Sequence, residues 1–153
     1  MAKRKIKSIP CIHNRLQSLW SICVRARAGY KCEYSGVAKG EPNANGKPTK
    51  IDAHHLLSKK IKDCPLKYEI NNGIALSSEY HKFNSECFHK SPVSTITWLM
   101  NNMPERYKCI IDNAHIRVDL DNRKVLEEIE KRLRNNESLD FNKLKEIEAQ
   151  SRS

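Results

Sequence analysis

Long apolar runs are missing from this 153-residue chain, and none approaches the roughly 20 residues that cross a bilayer. The opening Met1-Ala-Lys-Arg-Lys-Ile-Lys7 also lacks the apolar stretch of a secretory signal. Paired cysteines are missing too: the six, at positions 11, 23, 32, 64, 87 and 109, follow no spacing that marks a disulfide framework. A chain of this length buries an ordinary core without such staples. The expectation is therefore free, mostly buried thiols in a reducing cytoplasm, the host's if the chain is phage-encoded. Aromatic residues amount to 7% and form no platform on which single-stranded bases would stack, which disfavours an RNA-directed activity.

Acid is absent from the front of the chain. Residues 1–31 hold eight Lys or Arg and no Asp or Glu, residues 32–110 hold eleven bases against eight acids, and residues 111–153 hold nine against ten. The net charge of +10 is thus concentrated at one end. That arrangement suits a polyanion, DNA in duplex or branched form, with binding that weakens as salt rises. A membrane surface fits less well, because Ser8-Ile9-Pro10 interrupts any long amphipathic helix there. Residues 1–13 read as a basic tail.

Apolar periodicity places the remaining elements. Asn14 is a candidate cap for a helix to about Ala28, with Leu16, Leu19, Trp20 and Cys23 as its buried stripe, Arg15, Arg25 and Arg27 outside it, and Gly29 ending it. The Gly, Pro and Asn of residues 40–48 read as a loop before a strand over 49–55. A second strand follows over 73–76 and a helix over 78–87. Ser91-Pro92 starts another helix, with Val93, Ile96, Leu99 and Met100 as its apolar face. Pro104 opens a short helix carrying Tyr107, Cys109, Ile110 and Ile111. Asp119 to Asn122 precede a longer one with Val125, Leu126, Ile129 and Leu133, and the last runs from about Asp140 to Ala149. These stripes read as core.

Against this background stand Asp52-Ala53-His54-His55, then Asn72 seventeen positions after His55, then His81 nine further on in Ser77-Ser-Glu-Tyr-His81. Adjacent residues of a strand point to opposite faces, so two neighbouring histidines can take two jobs. Alone, either is more often an ordinary hydrogen-bonded histidine, and Asn71-Asn72-Gly73 alone is a turn signal. As an ordered set they resemble the HNH, or ββα-metal, endonuclease family. Leu66-Lys-Tyr-Glu-Ile-Asn-Asn-Gly-Ile-Ala-Leu76 is similar to that family's second strand, and the likeness spans about residues 16–110.

The resemblance implies a DNA endonuclease, with His55 as general base, His54 and His81 as ligands of one divalent ion, and Asn72 bracing the loop between the strands. The implied products are 5′-phosphate and 3′-hydroxyl ends. Mg²⁺ or Mn²⁺ is the implied ion by abundance, although two imidazoles also suit Ni²⁺ or Zn²⁺. Asp52 is a further ligand, an acceptor behind a ligand, or a solvated strand residue, and His89 is a weaker candidate for the metal site. His13 and His115 read as ordinary. Candidate DNA contacts are Arg15, Arg25, Arg27, Lys59, Lys60, Lys62 and Lys82. Family members that bind structural zinc do so through two Cys-x-x-Cys pairs; here those positions are Cys32, Ser35, Ser77 and Tyr80, so no structural zinc is expected. Small phage-type members of the family act in recombination, branched-DNA processing or packaging.

The fold class expected is α+β and mainly helical, a ββα-metal core with flanking helices: residues 1–13 as the tail, 14–113 as the nuclease domain, 114–153 as a C-terminal helical extension. The competing reading is a DNA-binding module of the same fold that does no chemistry.

Overall fold

The computed structural model describes residues 6–83 and 92–153, apart from the side chains of 82, 83 and 92. The first helix, α1 (Ile9–Arg27), begins five residues before Asn14. Pro10 lies in its first turn, where a fixed φ and a missing N–H cost nothing, so the proline that reads as an interruption is a helix start. Residues 9–13 of the expected tail are accordingly helical. The helix ends at Gly29, whose φ of +62° leaves the right-handed path.

Strand β1 (Ile51–His55) pairs antiparallel with β2 (Gly73–Ser77), with His54 opposite Ile74 and His55 opposite Gly73. Among the described residues this is the whole sheet. The outer edge of β2 is closed by Glu33: its N–H donates to Ala75 O at 2.9 Å, and its carboxylate accepts from Ala75 N at 2.9 Å. Such a cap removes the unpaired edge that invites another strand. After β2 comes a π-helical turn, Glu79–Phe83, which carries His81. The rest of the helix expected over 78–87 lies outside the described residues, as do the Ser91 cap and His89.

Four helices follow: α2 (Pro92–Asn102), α3 (Pro104–Asn113), α4 (Arg123–Arg134) and α5 (Phe141–Arg152). Asn122 caps α4 by accepting from Lys124 N and Val125 N, and Asp140 caps α5 by accepting from Lys143 N. The apolar face expected of α2 is corrected. Leu99 is buried, but Val93, Ile96 and Met100 are exposed, because α2 turns Leu99 onto a small cluster with Cys64, Leu66 and Ile110 while Trp98 packs on Tyr34. Ile111 is exposed as well. A helix apolar on several sides does not declare which side its neighbours cover.

The molecule is α+β and mainly helical. Its main core joins Leu16, Trp20 and Val24 of α1, Ile74 and Leu76 of β2, Val125, Ile129 and Leu133 of α4, and Leu144 of α5. The C-terminal segment from 114 therefore shares one core with the strands and does not stand apart from it. No helix among the described residues is long and apolar enough to cross a membrane.

Candidate functional site

Close packing lies under the paired histidines. A Cβ on Gly73 would stand 2.3 Å from Val24 Cγ2 and 2.9 Å from Trp20 Cζ2, so only glycine lets α1 reach the sheet here. That approach brings the buried Trp20 ring flat against His55, with centroids 3.8 Å apart and planes 8° from parallel. Trp20 is itself fixed by donating Nε1–H to Glu69 O at 2.9 Å. Sequence periodicity reads Trp20 as a core residue, which it is, and gives no sign that its face is a platform for the histidine.

His55 Nε2 lies 2.9 Å from Lys67 O. A carbonyl only accepts, so the proton belongs to Nε2 and the lone pair to Nδ1. Burial, followed by the nearby Lys59 and Lys67 charges, lowers the His55 pKa to about 4 against the opposing pull of the Lys67 carbonyl. The ring is thus neutral at neutral pH. No side-chain pattern could have pointed to the partner, because it is a main-chain oxygen.

Asn72 is fully buried and uses both ends of its amide. Its Oδ1 accepts from Leu57 N at 2.7 Å, while Nδ2 donates to Leu57 O at 3.1 Å and Leu66 O at 3.0 Å. With Leu56 N donating to Asn72 O, these bonds close the segment between β1 and β2 onto the start of β2. The turn and brace readings of Asn72 both describe what it does.

His54, on the other face of β1, meets His81 edge-on with ring centroids 5.0 Å apart. Two imidazoles at that separation would share an ion through bonds of about 2.1 Å each where a nitrogen of both rings faces it. His81 Nδ1 stands 3.3 Å from Asp52 Oδ2, which also accepts from Ser78 Oγ at 3.3 Å. A carboxylate there assigns the His81 proton to Nδ1 and the lone pair to Nε2, the nitrogen a metal would take. Among the described residues no group of three or more His, Cys, Asp or Glu is arranged to hold a metal ion. At 3.3 Å Asp52 accepts from His81 and orients its ring.

His54, His55 and His81 line one cleft of about 490 Å³, together with Lys59, Lys60, Gln17 and Ile96. Gln17 and Ile96 carry no signal in the sequence that would place them here. Lys62 is exposed and lies off the cleft wall, and the Lys82 side chain lies outside the described residues. Two of the arginines expected to reach DNA have their guanidiniums engaged by groups of the fold itself. Arg15 pairs with Glu130 at 2.8 Å, and Arg27 donates to Ile70 O and Gly73 O at 2.8 and 2.7 Å. Arg25 bonds Ser21 O through Nε and lines a separate groove.

The positions compared with zinc cysteines come together in part. Cys32 Sγ accepts from Ser35 N at 3.4 Å. Burial alone would raise that thiol, but the Ser35 hydroxyl, followed by backbone N–H groups of Ser77, Ser35 and Tyr34, holds it below its ordinary value. Tyr80 instead packs against Tyr34, at 4.8 Å between centroids, and Tyr34 against Trp98 at 5.3 Å. These rings bring α2 against the segment that carries His81.

Comparison with protein families, with curated proteins and with solved structures finds no match to this chain.

Proposed function

We propose that this chain is a metal-dependent DNA endonuclease of ββα-metal type, hydrolysing phosphodiesters with His55 as general base. The observation that carries the reading is the meeting in one cleft of three imidazoles, two adjacent on β1 and one from the turn after β2, with the roles of His55 and His81 suggested by their hydrogen-bond partners. His55 has its Nε2 proton engaged by Lys67 O, which leaves Nδ1 to accept a proton from water. The water oxygen attacks phosphorus, the P–O3′ bond breaks, the departing O3′ takes a proton from solvent, and the products are a 5′-phosphate and a 3′-hydroxyl. Trp20 holds the base in place, and Lys59 and Lys60 supply positive charge beside the phosphate. His54 and His81 would hold one divalent ion, Mg²⁺ or Mn²⁺, with Ni²⁺ or Zn²⁺ also suited to the donor set. When bound, that ion supplies charge neutralisation on the phosphate and on the departing oxygen. A pKa of about 4 makes His55 a weak base that is in its basic form at neutral pH, and the charge of a bound phosphate acts to raise it.

The test is a digest of duplex, nicked, branched and single-stranded substrates with each ion, using the natural chain and His55→Ala. The variant should lose cleavage by a factor on the order of 10³ or more while retaining DNA affinity. Absence of metal-dependent cleavage by the natural chain would instead identify a binding module.

A further inference from the structure

A second concavity, of about 870 Å³, opens beside the catalytic cleft. Its walls carry Arg25 from α1 and Lys39, Lys47 and Lys50 from the segment before β1, and its floor reaches Asp52 and Ser78. Among the described residues none of these four cations is ion-paired with an acid. Glu41, in the same loop, is exposed. The loop is built to hold its shape: Asn43 Oδ1 accepts from Asn45 N at 2.9 Å and Lys47 N at 3.0 Å, Asn43 N donates to Lys47 O at 2.8 Å, and Thr49 N donates to Glu41 O at 2.8 Å. Lys39 is steered by the Tyr30 ring, 5.6 Å from its Nζ.

Position turns this charge into a site. Asp52, at the groove's inner end, is the carboxylate that orients His81, whereas Lys59 and Lys60 line the catalytic cleft itself. A strand crossing the three imidazoles therefore has a basic wall available in both concavities. Building on the nuclease reading, we infer that the Arg25, Lys39, Lys47 and Lys50 groove binds the sugar–phosphate backbone of DNA to one side of the cleaved bond. Its ligand is a run of phosphates and not a base sequence, because ammonium groups on long stems neutralise charge without reading base edges.

The experiment compares two triple variants of equal net charge in the full chain carrying His55→Ala: Lys39→Gln/Lys47→Gln/Lys50→Gln, and Lys131→Gln/Lys143→Gln/Lys145→Gln on the solvent-facing sides of α4 and α5. All six side chains are exposed, and circular dichroism checks that both variants fold. Affinity for a labelled DNA duplex is measured by fluorescence anisotropy over a series of salt concentrations without divalent ions. The groove variant should bind on the order of 10- to 100-fold more weakly at low salt, with the slope of log K against log salt reduced by about 2 to 3, and the α4–α5 variant should keep the parental slope. Equal slopes for the two triples would overturn the groove, since net charge alone would then account for binding. Parental binding with the groove-dependent slope but no cleavage by the histidine-intact chain would sustain the groove and remove the nuclease reading. Metal-dependent cleavage with equal slopes would do the reverse.

Discussion

His55 sits between two demands. Stacked on Trp20 and hydrogen-bonded to Lys67 O, it is well positioned but poorly hydrated, and its folded pKa of about 4 lies below the value near 6.5 of an unfolded chain. Between those values the unfolded chain takes up a proton that the folded one does not. The stability due to neutral His55 is therefore fully present above pH 6.5 and is lost as pH falls toward and through 4. In metal-free protein the unfolding free energy should decline over that window, and His55→Phe, which keeps the stacked ring, should flatten the decline. Chemical denaturation at several pH values measures both, and an equally steep decline in the variant would assign the effect to other groups.

Gly73 shows how one element positions another. It faces His55 across the two-stranded sheet, and its missing side chain is what lets α1 lie against β2. Its turn-like context in the sequence conceals that use. Gly73→Ala should destabilise by about 1–3 kcal/mol as the helix and sheet are pushed apart. On the proposed nuclease reading, cleavage should fall with it, since the Trp20 stack under His55 loosens. Val24→Ala removes the methyl groups that the new Cβ would meet, so the double variant should lose less stability than the sum of the two singles. Urea unfolding of the four proteins in that cycle decides the point, and strict additivity would show that the contact is relieved elsewhere.

Glu69 ties the distant parts of the chain together. Its carboxylate is buried; burial pushes it up, while donors including Asn71 N at 3.0 Å and Leu139 N at 2.7 Å stabilise its charge. The turn joining α4 to α5 is thus pinned to the residues that precede β2, and α4 lies directly on α1 through Leu133 and its neighbours. Unfolding should be a single transition, with tryptophan fluorescence and far-ultraviolet circular dichroism coincident. Leu133→Ala, away from the cleft, should lower that transition by about 2–5 kcal/mol without splitting it. A separate early loss of helix signal would show that the segment from 114 melts alone.

The α+β class, the order of its strands and helices, and the histidine and asparagine positions are all legible in the chain, because periodicity, caps and spacing are local properties that survive without coordinates. Residue spacing cannot carry the choices made between elements. Pro10 begins a helix because α1 has a core to cover, Arg15 and Arg27 turn inward because Glu130 and two strand-side carbonyls meet them, and α2 buries Leu99 while leaving Val93 outside. The partner of His55 is a backbone oxygen twelve residues away, and every residue type carries that same group. Packing alone brings it within reach of one particular imidazole.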